Sequence, residues 1–175
     1  MEKAELTGRE RKLLPSEIIS TRTDHRGVLT FMNRAFTKVT GFTREEALGK
    51  PHNLIRHPDV PRALYFVLWD TIKGGEPFFA VTKNRCKNGD FYWTLGMFQP
   101  DMTDDRITGF RSTRKGLMDE DLKQEFDHLY LAVREAELAV PRPEQVKVGH
   151  KALQKQLKKH GYRDYESFAR RALAN

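Results

Sequence analysis

Lys87-Asn88-Gly89-Asp90 stands between two β-prone runs, Phe79-Ala80-Val81-Thr82 and Phe91-Tyr92-Trp93-Thr94-Leu95. Asn-Gly in that setting is the strongest short-range hairpin signal, because both central residues of the tightest hairpin turn need a left-handed backbone. The middle of the chain is thereby committed to antiparallel pairing. A further run, Arg106 to Thr113, follows the polar turn at Asp101 to Asp105, and two more, Ile18 to Asp24 and Gly27 to Asn33, open the chain. Strands so close in sequence leave no room for helical crossovers and pair antiparallel, and helices inserted between the second and third must cover one face of the sheet. The expected class is α+β, with a five-stranded antiparallel sheet.

The helices are legible from period and caps. Ala35, Phe36 and Val39 recur at helical spacing, and Thr43 with Glu46 three residues on forms a capping box. Pro61 opens a segment with Leu64, Val67, Leu68 and Ile72 on one side, and Gly74-Gly75 stops it. After Arg114 the pattern is helical to the end. Leu122, Phe126, Leu129, Tyr130 and Val133 make one apolar stripe behind Asp119, Glu120 and Asp121, and Pro141 and Pro143 end that helix. Two more helices follow, one from about Glu144 closed by Gly161 and one around Tyr165, Phe168, Ala169 and Ala172. Residues 1–16 read as an N-terminal arm, loose or a short helix, 17–116 as the domain, and 117–175 as a C-terminal helical extension.

At 175 residues and 38% hydrophobic, the chain holds one ordinary domain and an appendage. Cys86 is the single cysteine, so no internal disulfide forms. No run of about 18 apolar residues could span a membrane, and Met-Glu-Lys-Ala-Glu does not begin an export signal. The net charge of +7 is segregated. From Glu144 to Asn175 eight bases face three acids, a net +5, whereas Asp119 to Leu138 carries seven acids and two bases, a net −5. That pattern favours docking between helices over a uniform basic surface, so a nucleic-acid binder is not expected. The stripe of Phe126, Leu129, Tyr130 and Val133 is expected to bury against the open face of the sheet, a second chain or the tail.

Gly49-Lys50-Pro51-His52-Asn53 and Arg56-His57-Pro58-Asp59, followed by Trp69 and by Lys83-Asn84-Arg85-Cys86-Lys87-Asn88-Gly89-Asp90-Phe91-Tyr92-Trp93, resemble the PAS domain of bacterial aerotaxis receptors, a flavin-binding redox sensor. The likeness runs from about Ile18 to Arg114, a whole PAS module. It implies a PAS fold and a cytoplasmic redox, oxygen or energy-taxis sensor that is not an enzyme. It also implies FAD as cofactor, with a site drawn from Asn33, His52, Asn53, Arg56, His57, Asp59, Trp69, Asn84 and Tyr92. By that likeness Arg56 meets phosphate or the flavin edge, Trp69 lines the cavity and Asn84 hydrogen-bonds the ring. Arg56, His57, Trp69 and Asn84 are then expected to face one space. The implied partner is a membrane chemoreceptor or other signalling transducer, with a homodimer as a further possibility. The alternative is a PAS interaction module with no flavin or with another small ligand.

The residues also admit plainer roles. Asp59 is placed to cap the helix that starts near Pro61. His52 and His57, five apart in a loop, lack the spacing of a metal site. Trp69 and Trp93 have the character of core residues, and Cys86 of a small strand residue without a catalytic partner. Phe78, Ala80 and Thr82 stand where flavin-binding members carry tryptophan, glycine and a branched aliphatic, and the methyl of Ala80 is expected to narrow the pocket.

Overall fold

The computed structural model describes residues 4–173; the outer ends of the arm and of the extension, 1–3 and 174–175, lie outside the described residues. Strands β1 (Ile19–Asp24), β2 (Leu29–Met32), β3 (Phe78–Arg85), β4 (Phe91–Thr103) and β5 (Arg106–Gly116) form one sheet in the order β2-β1-β5-β4-β3, antiparallel throughout. Between β2 and β3 come α1 (Arg34–Thr40), α2 (Arg44–Ala47), a 3-10 turn at His52–Ile55, and α3 (Arg62–Lys73). Asn33 caps α1 by accepting from Phe36 N–H, and the Thr43–Glu46 capping box forms at α2. This is the five-stranded α+β arrangement expected from the sequence.

The last three strands are longer than their apolar runs. β4 continues through Pro100 to Thr103, and Asp104 and Asp105 alone make the turn into β5, both with positive φ (49° and 57°). Aspartate tolerates that left-handed conformation, which hairpin twist demands. A five-residue polar stretch therefore contracts to a two-residue turn.

Strand alternation sorts the side chains into two faces. Register places Thr82 opposite Thr94, Asn84 opposite Tyr92, Gly96 opposite Arg114 and Thr21 opposite Ser112, so these residues share the inner face under α1–α3. The outer face carries Lys83, Phe91 and Trp93. Here α4 (Glu120–Leu138) packs, with the Tyr130 ring stacked near Trp93 (6.2 Å, 23°). α5 (Gln145–Lys159) and α6 (Tyr165–Ala169) complete the extension, and Phe126 is closed in by Tyr165 and Phe168. The predicted stripe is thus buried inside its own chain, between the sheet and the tail.

Two features tie the terminal segments to the sheet. Val81 on the edge strand β3 donates its N–H to the Tyr165 hydroxyl (3.1 Å) and accepts from the Tyr130 hydroxyl with its carbonyl. The arm is neither loose nor helical among its described residues. It lies extended beside β4, exchanging bonds between Arg9 O and Phe91 N (2.9 Å) and between Arg11 N and Phe91 O (2.7 Å). Gly89, at φ +92°, passes so close that a Cβ would fall 1.8 Å from Glu5 O.

α3 begins differently from the expectation. Asp59 does not cap it; its carboxylate meets Lys83 Nζ at 2.7 Å. The N–H groups of Arg62 and Ala63 are bound instead by Glu137 of α4, at 3.1 and 2.8 Å, which also pairs with Arg134 at 2.7 Å. A fully buried carboxylate stabilised by a helix N-terminus and a guanidinium displaced the local candidate.

Candidate functional site

Between α3 and the inner face lies a cavity of about 590 Å³, within the range of small-molecule sites. α3 contributes Tyr65, Leu68, Trp69 and Ile72, spaced to share one side of the helix. The sheet contributes Thr21, Thr82, Asn84, Phe110, Ser112 and Arg114, and the loop before α3 contributes Pro51 to Asn53 with Ile55 and Arg56. Trp69 meets Phe110 edge-on at 5.1 Å and lies against Gly27, where a Cβ would be 3.2 Å from its ring. Glycine there, at φ +80°, gives both the turn and the room for the indole.

Arg26, Arg56, Arg62, Lys73, Arg111 and Arg114 line the cavity, and no aspartate or glutamate does among the described residues, although Arg26 and Arg111 pair with Asp24 (3.6 Å) and Asp101 (3.4 Å) beside it. Arg114 is 1% exposed, which lowers its pKa through desolvation. Its Nη2 donates to Thr21 Oγ1 at 3.2 Å, while its Nε has no partner among the described residues. Thr23 Oγ1 and Arg62 Nε, also on lining residues, are buried and unpartnered too. Buried polar atoms are nearly always satisfied, so three such atoms on residues of one cavity set it apart from the rest of the interior.

Of the nine residues singled out from the sequence, the structure brings His52, Asn53, Arg56, Trp69 and Asn84 to this cavity. Asn84 donates its amide hydrogens to Thr82 and Thr94 (3.0 and 3.2 Å to the hydroxyls), which fixes its plane. His52 Nε2 lies 3.1 Å from Thr21 Oγ1. The other four lie elsewhere. Asn33 caps α1 and accepts from Ser20 N–H at 3.1 Å. Tyr92 is in a second core cluster with Phe36 and Ile55, its hydroxyl unpartnered.

His57 does not share the space of Trp69, Asn84 and Arg56. The loop pairs with the edge of β3 at Arg56 and Asn84, and one residue on His57 turns against Phe91, ring centroids 5.9 Å apart. Asp59 follows it to Lys83, whose ammonium also reaches Asp127 of α4 at 3.1 Å. A charged bridge therefore links the cavity loop to the extension. The approach of His57 Nδ1 to Asp59 Oδ2 (3.4 Å) is not an ion pair, because that nitrogen accepts from Asp59 N–H and burial holds His57 down to about 4.

Sequence reasoning missed Arg114. Its signals were present: Phe110, Ser112 and Arg114 alternate on β5, and Gly96 interrupts β4 directly opposite, where a Cβ would fall 2.5 Å from Arg114 Cγ. Ala80 is packed in the core and is not a lining residue, so its methyl does not narrow the cavity, whereas Thr82 does face it.

Both loop histidines are held neutral in the fold, His52 down to about 3 and His57 down to about 4 against 6.5, chiefly by burial. The unfolded chain takes up these protons first as pH falls below 6.5, so their contribution to stability is complete above that value and declines below it. The expected slope is up to about 1.4 kcal/mol per pH unit for each histidine. Urea midpoints at pH 7.5 and 5.5 should show this fall, and His57→Gln should flatten it. Glu17, whose carboxyl Arg11 holds well below its ordinary 4.5, adds stability that is fully present above that value and is lost only in more acid solution, so it does not affect this window. A midpoint independent of pH over that window would contradict the assignment.

A sheet of this order with short helices over one face and a ligand-sized cavity beneath them is a PAS domain. Residues 29–114 match the family model of the PAS fold, and this segment of the chain belongs to that family. Among curated proteins the chain is similar to the aerotaxis receptor of Escherichia coli (strain K12), 37% identical over 117 residues, covering 67% of this chain and 23% of the receptor. The nitrogen fixation regulatory protein of Klebsiella pneumoniae is 29% identical over 70 residues, 40% of this chain and 14% of that protein. The chain thus spans less than a quarter of the length of either relative. Solved light-oxygen-voltage domains share the fold. One, from work on a flavin analogue, has a TM-score of 0.56 at 16% identity, covering 62% of this chain and 82% of that one. Another, from a blue-light activated histidine kinase of Erythrobacter litoralis, has 0.53 at 20%, covering 61% and 100%. The chain thus holds a PAS domain similar to part of an aerotaxis receptor, followed by a helical extension. No helix among the described residues is long and apolar enough to cross a membrane.

Proposed function

We propose that this PAS domain is a cytoplasmic redox sensor holding a flavin nucleotide, FAD, between α3 and the inner face, and that it signals by contact with a chemoreceptor or similar transducer. One observation supports the reading: a cavity of about 590 Å³ lined by Arg56, Arg62, Lys73 and Arg114, with no carboxylate among its described lining residues, suits an anionic ligand with polar edges. A flavin nucleotide has both, with a planar ring suited to the walls of Trp69, Tyr65 and Phe110. The likeness to the aerotaxis receptor supports it.

In this reading Asn84, Ser112 and Arg114 meet the ligand's polar edge, and Arg56, Arg62 and Lys73 hold phosphate. The bound flavin supplies the electron-accepting centre; the chain supplies orientation and a polar environment. No catalytic turnover is assigned to it. Arg56 heads the loop that continues through Asp59 to Lys83 and Asp127, so a change in how the ligand holds Arg56 reaches α4 by a continuous set of contacts.

Protein purified under native conditions should be yellow, with flavin near stoichiometry and FAD recovered on release. Asn84→Ala should weaken flavin affinity about tenfold, and so lower occupancy, without unfolding the domain, as one ring contact is worth about 1.4 kcal/mol. Colourless protein that takes up no added flavin would reject the proposal in favour of a module with another anionic ligand.

A further inference from the structure

The cavity has one wall that the PAS domain does not provide. Val146, the second residue of α5, is the extension's contribution to the lining. One turn further, His150 on the same side of α5 stands 5.9 Å from the ring of Phe66, with planes 55° apart. Phe66 lies one turn after Arg62 on α3, also lines the cavity, and is 47% exposed. The outer part of the cavity therefore offers an accessible aromatic ring, an apolar β-branched side chain and the guanidinium-bearing Arg62. A flat base and a phosphate are the groups that such a surface takes.

The placement of α5 is fixed by contact rather than by a tether alone. Gly149 lies against Glu137, where a Cβ would be 2.5 Å from Oε1, and the same carboxylate holds the N–H groups of Arg62 and Ala63. One buried group thus seats both α5 and the first turn of α3, so Arg62 and Val146 are positioned together.

We propose that the C-terminal extension is part of the ligand site: Val146 on α5, with Phe66 and Arg62 on α3, receives the adenylate half of a flavin dinucleotide and makes the site selective for it over the bare flavin. This rests on the flavin reading above. It assigns to α5 a recognition role, so that filling the outer cavity and docking α5 favour one another.

The test measures dissociation constants of FAD and riboflavin for the 175-residue apoprotein. The unaltered protein should bind FAD at least tenfold more tightly. Val146→Glu, which sets a carboxylate against the phosphate, should weaken FAD at least tenfold and leave riboflavin within twofold. Lys151→Glu, a larger charge change on the exposed side of α5, should leave both within twofold. Val146→Lys should widen the preference for FAD, and carries the test should the glutamate variant not fold. Equal loss of both ligands in Val146→Glu, no effect of either Val146 substitution, or no preference in the unaltered protein would overturn the inference while leaving the flavin reading intact. Failure of the unaltered protein to bind either ligand would overturn both.

Discussion

Arg114→Met should make the ligand-free protein more stable and strip it of flavin, two effects of opposite sign from one substitution. Arg114 is 1% exposed in a cavity without carboxylates, and its Nε is unsatisfied. Replacing buried ionic groups with apolar side chains of similar volume often stabilises by about 1–4 kcal/mol, and here no ion-pair partner is left stranded. Thr21 keeps its bonds to Ser112 (2.9 Å) and His52 (3.1 Å). The ligand, by contrast, loses a desolvated charge-assisted contact, and truncating one member of such a pair costs about 2–5 kcal/mol, or roughly two orders of magnitude in affinity. Thermal melts of apoprotein, together with flavin titration, check both halves. A lower melting temperature in the apo variant would show that Arg114 is a structural residue whose charge the fold already satisfies.

Glu137→Ala should be the most damaging single change in the extension. It strands the N–H groups of Arg62 and Ala63 and the guanidinium of Arg134, and opens a void beside Gly149. Removing one partner of a buried ionic cluster costs about 3–5 kcal/mol, which in a chain of this size lowers the melting temperature by about 6–15 °C. Glu137→Gln keeps an acceptor for α3 and should lose less. A shift under 1 °C for the alanine variant would mean that the two helices are held together by other contacts.

These two residues also show where sequence reading stops. The sheet and nearly every helix were legible because they rest on local signals: alternation, a capping box, Asn-Gly, and Gly-Gly after α3. Five of the nine carried-over residues reach the cavity for a similar reason, since Pro51 to Arg56 is a single loop and Trp69 and Asn84 sit at determined phases of α3 and β3. His57 and Asp59 went elsewhere because the pairing of Arg56 with Asn84 turns the next residues past the sheet edge. No periodicity records such a bridge. Glu137 capping α3 from 75 residues away, and Val146 entering the cavity, depend on how the extension folds back. Arg114 alone left a trace, in the glycine opposite it.

The fastening of β3 to the C-terminal helices bears on how the chain is made. An open strand edge is a template for any other extended segment. At β2 the closing groups are near at hand, since Leu29 bonds Lys50 O and Gly49 N. At β3 the Tyr165 hydroxyl is supplied 84 residues after Val81, so on the ribosome the hairpin emerges long before its cover. Nascent chains ending before Tyr165 carry a sticky border that finished molecules lack, and premature termination in the last helices gives a species prone to cross-chain pairing even though every described lining residue of the cavity except Val146 precedes α4.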